Sequence, residues 1–320
     1  MKMKKLLSLL SLLLTFTTLL KAQSSPALLL AYDDFTGHET GLTYWKNGQT
    51  IPLTNGKTNA GACAITVSGN DEYVAGYEYN LAGEPVATYW KNGKAIRLTN
   101  GKTYAKAVGI SVSGTDVHVV GNNGRVAMYW KNGVAIAVGD YTTLYGITVV
   151  GNDVYMVGYQ INEEGEYVAT YWKNGKAVSL TDGKRGAEAQ AITISGNDVY
   201  ISGFEKNEEG KEVAMYWKNG QPVVLPDGCG AKAIAVSGND VYVAGFDRNA
   251  EGVNIAVCWK NGKASLLTDG KEMAGVYTIA VTGTDVYVGG YLNGIATYWK
   301  NGKAMNLNNM VGKITGLVAK

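Results

Sequence analysis

The chain has 320 residues, of which 46% are hydrophobic and 18% charged, with a formal net charge of +2. Four of its 29 basic residues and none of its 27 acidic ones fall in the first 22 positions, so the remainder carries 25 basic residues against 27 acidic ones. That balance argues against a nucleic-acid or anionic-membrane surface, and three cysteines with two histidines supply neither a disulfide framework nor a metal motif.

Residues 1–22 read as a secretory signal peptide. Lys2, Lys4 and Lys5 give a positive start, Leu6–Leu20 an uncharged apolar run, and Leu20-Lys21-Ala22 before Gln23 an imperfect cleavage site. The run is short for a membrane span, although an uncleaved anchor is the alternative. The expected mature protein is one domain, 23–320, with no membrane span. Its destination is the exterior, the periplasm or the cell envelope.

Past this segment, Leu28-Leu29-Leu30-Ala31-Tyr32 has the pattern of a strand, Leu42-Thr43-Tyr44-Trp45 of a second and Thr50-Ile51-Pro52-Leu53 of a third. The second ends in Tyr-Trp-Lys-Asn-Gly. This pentapeptide occurs six times and once more as Cys-Trp-Lys-Asn-Gly, placing tryptophans at 45, 90, 130, 172, 217, 259 and 299. The intervals of 45, 40, 42, 45, 42 and 40 residues mark a repeat architecture.

A complete unit shows what is repeated. Ala233–Ser237, Val241–Phe246, Ile255–Trp259 and Ala264–Leu267 read as four strands joined by Gly238-Asn239-Asp240, a polar loop and an Asn261-Gly262 turn. Asn-Gly accommodates the positive φ angles of a two-residue hairpin whose twist matches its strands. The motif lysine reads as a solvent-facing turn flank, and the Tyr and Trp as wedges between sheets. An exposed row of tryptophans is the alternative. The Gly-Asn-Asp and Gly-Thr-Asp turns read as turn chemistry rather than calcium loops.

The third-to-fourth-strand motif occurs seven times, the first-to-second-strand turn only six. The missing first strand appears at the other end, where Ile314-Thr315-Gly316-Leu317-Val318 has the required length and apolar content. These counts predict an all-β, seven-bladed β-propeller with four-stranded antiparallel blades, closed by pairing the two ends of the chain. Gly289-Gly290 followed by Tyr298-Trp299 gives residues 28–318 a partial resemblance to kelch-type blades. Secreted bacterial propellers with Tyr-Trp-Lys-Asn-Gly repeats resemble the chain more closely. The resemblance implies the fold and no particular activity.

Function is expected on the face carrying the second-to-third and blade-to-blade loops, which vary most between units. Candidate ligand-binding residues there are Asn59, Tyr104, Tyr141, Arg185, Lys232, Glu272 and Tyr277. Tyrosine offers apolar contact with a hydrogen bond, and charged groups orient a polar partner. His118 replaces a strand tyrosine and reads as packing. The pairs Glu163/Glu164 and Glu208/Glu209 read as a solvated acidic rim.

The sequence therefore points to a binding or scaffold module for a glycan, peptide or envelope protein, with no cofactor and no catalytic residue assigned. A purely structural envelope protein and a carbohydrate-active hydrolase or lyase are the alternatives.

Overall fold

The computed structural model describes residues 28–33 and 42–320; the expected leader lies outside the described residues. Within them the chain forms seven four-stranded antiparallel sheets and no helix. Blade 2 runs Ala60–Ser68, Asp71–Tyr79, Pro85–Lys91 and Lys94–Arg97, and five further blades repeat this order. Each first strand touches the first strands of both neighbouring blades, which sets seven inner strands around one axis.

Blade 1 is assembled from both ends of the chain. Leu28–Asp33, Thr43–Lys46 and Gln49–Pro52 supply three strands, and Lys313–Ala319 supplies the inner one, pairing antiparallel with Leu28–Asp33. The predicted closure is therefore the observed one. Ile314 and Leu317 are buried in the joint, and Thr315 donates to the Ala62 carbonyl of blade 2 at 2.8 Å.

The hydrophobic core consists of clusters at the interfaces between blades. Trp90 packs with Leu29, Ala31 and Tyr44 of blade 1, Trp130 with Tyr73 and Ala87 of blade 2, and Trp172 with Val120 and Ala127 of blade 3. Trp217, Trp259 and Trp299 lie against the preceding blade in the same way. These six tryptophans are 0–2% exposed, while Trp45 is half-buried at the interface with blade 7. The exposed-tryptophan alternative fails because each indole is the filling between two sheets.

The rest of the motif builds the short-turn face. Asn92, Asn132, Asn174, Asn219, Asn261 and Asn301 adopt φ of 49–53°, as the hairpins require. Each also reaches the neighbouring turn of its own blade. In blade 4, Asn174 Oδ1 accepts the Val154 amide at 2.8 Å, Asn174 Nδ2 donates to Asp153 at 2.8 Å, and Lys173 pairs with the same carboxylate at 3.0 Å.

The same clamp recurs in blades 2, 3, 5, 6 and 7 with Lys–Asp distances of 2.7–2.9 Å. The motif lysine is thus more than a turn flank: it ties two hairpins together. In blade 1, which has no first-to-second turn, Lys46 and Tyr44 instead reach Glu72 of blade 2.

His118 is buried with its Nδ1 2.6 Å from the Tyr129 hydroxyl, a packed residue as expected. Burial, with a smaller contribution from Lys131, holds its pKa below the usual value. The three cysteines are unpaired.

Candidate functional site

The long-loop face is built on an irregularity that each inner strand repeats. Where an inner strand pairs with the second strand of its blade, one residue is skipped, giving a β-bulge at Thr315, Cys63, Val108, Tyr145, Gln190, Lys232 and Tyr277 in blades 1 to 7. The residue before each bulge is buried, but the bulged residue itself retains exposure. A bulge re-aims one side chain without ending the sheet.

The local sequence accommodates the bulge with a glycine on the facing strand. A Cβ at Gly76, Gly121, Gly158, Gly203, Gly245 or Gly290 would overlap a carbonyl oxygen of its inner strand, such as Thr143 O opposite Gly158. These are the glycines near the end of each second strand. They are explained by close backbone approach rather than by turn geometry.

Six of the seven bulged residues, all but Val108, line a cavity of about 300 Å³ on the axis. Lys106, Tyr77, Asp33 and Lys313 also line it. Asp33 and Lys313 pair across their sheet, 3.4 Å apart. Lys106 Nζ lies 4.0 Å from the Tyr77 ring centroid and 5.3 Å from that of Tyr104. Desolvation pushes the Tyr77 and Tyr277 phenols and the Cys63 thiol up to about 12, with the Asp33 charge adding to each. All three are therefore neutral at physiological pH.

Blade 3 breaks the sevenfold pattern. After the close-contact glycine, blades 2, 4, 5, 6 and 7 carry Tyr77, Tyr159, Phe204, Phe246 and Tyr291, but blade 3 carries Asn122. Its second-to-third connection is only Gly124-Arg125, where blades 2, 4, 5 and 6 have a longer Asn-anchored loop. The passage to blade 4 is Asp140-Tyr141, in place of residues 98–104 between blades 2 and 3.

A missing aromatic and two shortened loops leave a trough of about 710 Å³ between blades 3 and 4. Asn122, Arg125, Asp140, Tyr141, Thr143 and Tyr145 line it, together with the apolar Val108, Leu144 and Ile161. Tyr141 is 72% exposed and held at φ 52°. Arg125 and Asp140 are exposed and make no ion pair among the described residues, so both remain available to a partner.

Tyr145 lines both the trough and the axial cavity. Its ring lies 6.0 Å from that of Tyr159, which stacks on Tyr167 at 4.4 Å, and its hydroxyl donates to Glu188 of blade 5 at 3.0 Å. Gln190 donates to the same carboxylate. Burial is the leading cause of an upward shift for both Tyr145 and Glu188.

The structure divides the seven expected binding residues. Tyr141 lies in the trough, and Lys232 and Tyr277 lie on the axis. Asn59, Tyr104, Arg185 and Glu272 are exposed on blade-to-blade passages and line neither cavity. Arg185 pairs with Glu205 at 3.7 Å, and Glu272 accepts from Asn293 at 3.3 Å. Sequence reasoning passed over Lys106, Tyr145 and Gln190. Their signal is a non-repeating residue framed by repeating ones, as in Ala189-Gln190-Ala191. Scans against protein-family models and curated proteins returned no match for the chain.

Proposed function

We propose that the protein is a secreted or envelope-associated binding module that captures a glycan in the trough between blades 3 and 4. The observation that carries this reading is the break in sevenfold repetition. Blades 2, 4, 5, 6 and 7 place an aromatic ring where blade 3 has Asn122, and the concavity beside it is within the size range of small-molecule sites.

The wall chemistry supports a sugar. An exposed tyrosine offers a face to the apolar side of a pyranose, while Asn122, Arg125, Asp140 and Thr143 offer donors and acceptors to its hydroxyls. The clamps and buried indoles form a rigid frame beneath these groups, an arrangement suited to recognition by loops. Secretion is supported by the charge and apolarity of residues 1–22.

A glycan array probed with the purified protein tests the reading, followed by calorimetry on any captured glycan. Asn122→Tyr restores the missing ring and fills the trough, so it should abolish capture with little change in melting temperature. Tyr141→Ala should weaken capture at least tenfold. Capture unaffected by both substitutions, or no capture of any glycan, refutes the proposal.

A further inference from the structure

The axial cavity has chemistry different from the trough. Among the described residues, its lysines Lys106 and Lys232 make no ion pair, and Asp33, the one carboxylate of the described lining, is paired with Lys313. Glu188, behind the wall, is engaged by Tyr145 and Gln190. The described lining therefore holds positive charge in excess. Cations withdrawn from water are stable only with a counter-charge, and here the protein supplies an incomplete one.

We infer that the axial cavity binds a single acidic sugar residue, its carboxylate drawn to Lys106 and Lys232 and its ring enclosed by Tyr77, Tyr145 and Tyr277. The volume of about 300 Å³ is at the lower end of small-molecule sites and suits one monosaccharide rather than a chain. Desolvation lowers the pKa of Lys232, opposed by Glu188 and Glu212. A bound carboxylate would oppose that shift further, so ligand binding and protonation of Lys232 reinforce one another.

Tyr145 forms a common wall, so an acid group on the axis and a neutral sugar in the trough would lie on either side of one ring. The choice of a sugar rests on the glycan reading above; the preference for an anion rests on the lysines alone.

Calorimetry of the purified protein with D-galacturonate, D-galactose, acetate and sulfate as separate probes tests the inference. In the Asn122→Tyr background, whose trough is filled, galacturonate should bind and galactose should not. Affinity should fall at least tenfold in Lys106→Gln/Lys232→Gln and should weaken as NaCl rises from tens to hundreds of millimolar. The salt series needs no lysine substitution and stands even if the double substitution misfolds.

In that background, equal binding of galactose, no binding of galacturonate, or salt-independent binding overturns the inference. Acetate or sulfate binding as tightly as galacturonate overturns the sugar assignment. Neutral-glycan capture that persists while galacturonate fails to bind leaves the trough reading standing, whereas the opposite pattern removes the trough reading alone.

Discussion

Two buried tryptophans at equivalent positions differ in one hydrogen bond, which allows that bond to be weighed. Trp259 and Trp130 are both fully buried between blades. Trp259 Nε1 donates to the Pro226 carbonyl at 2.8 Å, whereas Trp130 Nε1 has no acceptor among the described residues. Replacing either by Phe removes a similar apolar area, about 60 Å², and costs about 1.5 kcal/mol at about 25 cal/mol per Å².

The polar terms have opposite signs. At position 259 the substitution strands a partly buried carbonyl, for a further penalty of about 1 kcal/mol; at position 130 it deletes an orphaned N–H and recovers about 1 kcal/mol. Trp259→Phe should therefore cost about 2.5 kcal/mol and Trp130→Phe about 0.5 kcal/mol. Urea unfolding followed by far-ultraviolet circular dichroism measures both. Equal losses, or a larger loss at position 130, would refute the reasoning.

Three other outcomes follow from the fold. Gly158→Ala forces a Cβ onto the Thr143 carbonyl and should destabilise by about 2–3 kcal/mol or prevent folding; wild-type melting would show that the inner strand can yield. Deleting residues 313–320 removes the inner strand of blade 1, so limited proteolysis should begin in residues 42–53, and an unchanged digestion pattern would sink the closure. The clamp aspartates Asp71, Asp116, Asp240 and Asp285 are held below their usual pKa first by lysine, and Asp153 and Asp198 first by asparagine. Their stabilisation is complete above the usual carboxylate pKa and lost as pH falls through the lowered folded values. Melting temperature should thus drop below about pH 4, and an Asp153→Asn/Asp198→Asn variant should drop less.

The fold was legible because local chemistry repeats. Each Asn-Gly declares a hairpin, each interval between tryptophans a blade, and Ile314–Val318 the strand that the first unit lacks. The site was less legible because it depends on a skipped residue in strand pairing. Alternation in Ala231-Lys232-Ala233 does not reveal that Lys232 is bulged.

The blade 3 trough left a trace in the short intervals around Trp130, but length alone does not show that Asn122 stands where other blades place a ring. The lysine of the motif was undervalued for a related reason: its partner, such as Asp153 for Lys173, lies in a different hairpin.

The seven bulges separate the variable part of the protein from its architecture. Thr315, Cys63, Val108, Tyr145, Gln190, Lys232 and Tyr277 already present a hydroxyl, a thiol, an alkyl group, a phenol, an amide and an ammonium on one backbone geometry. Folding information resides in the indoles and clamps, while these positions act as a seven-letter register around the axis. A library randomised at these positions alone could change the selectivity of the axis, with blades and closure retained as a constant chassis.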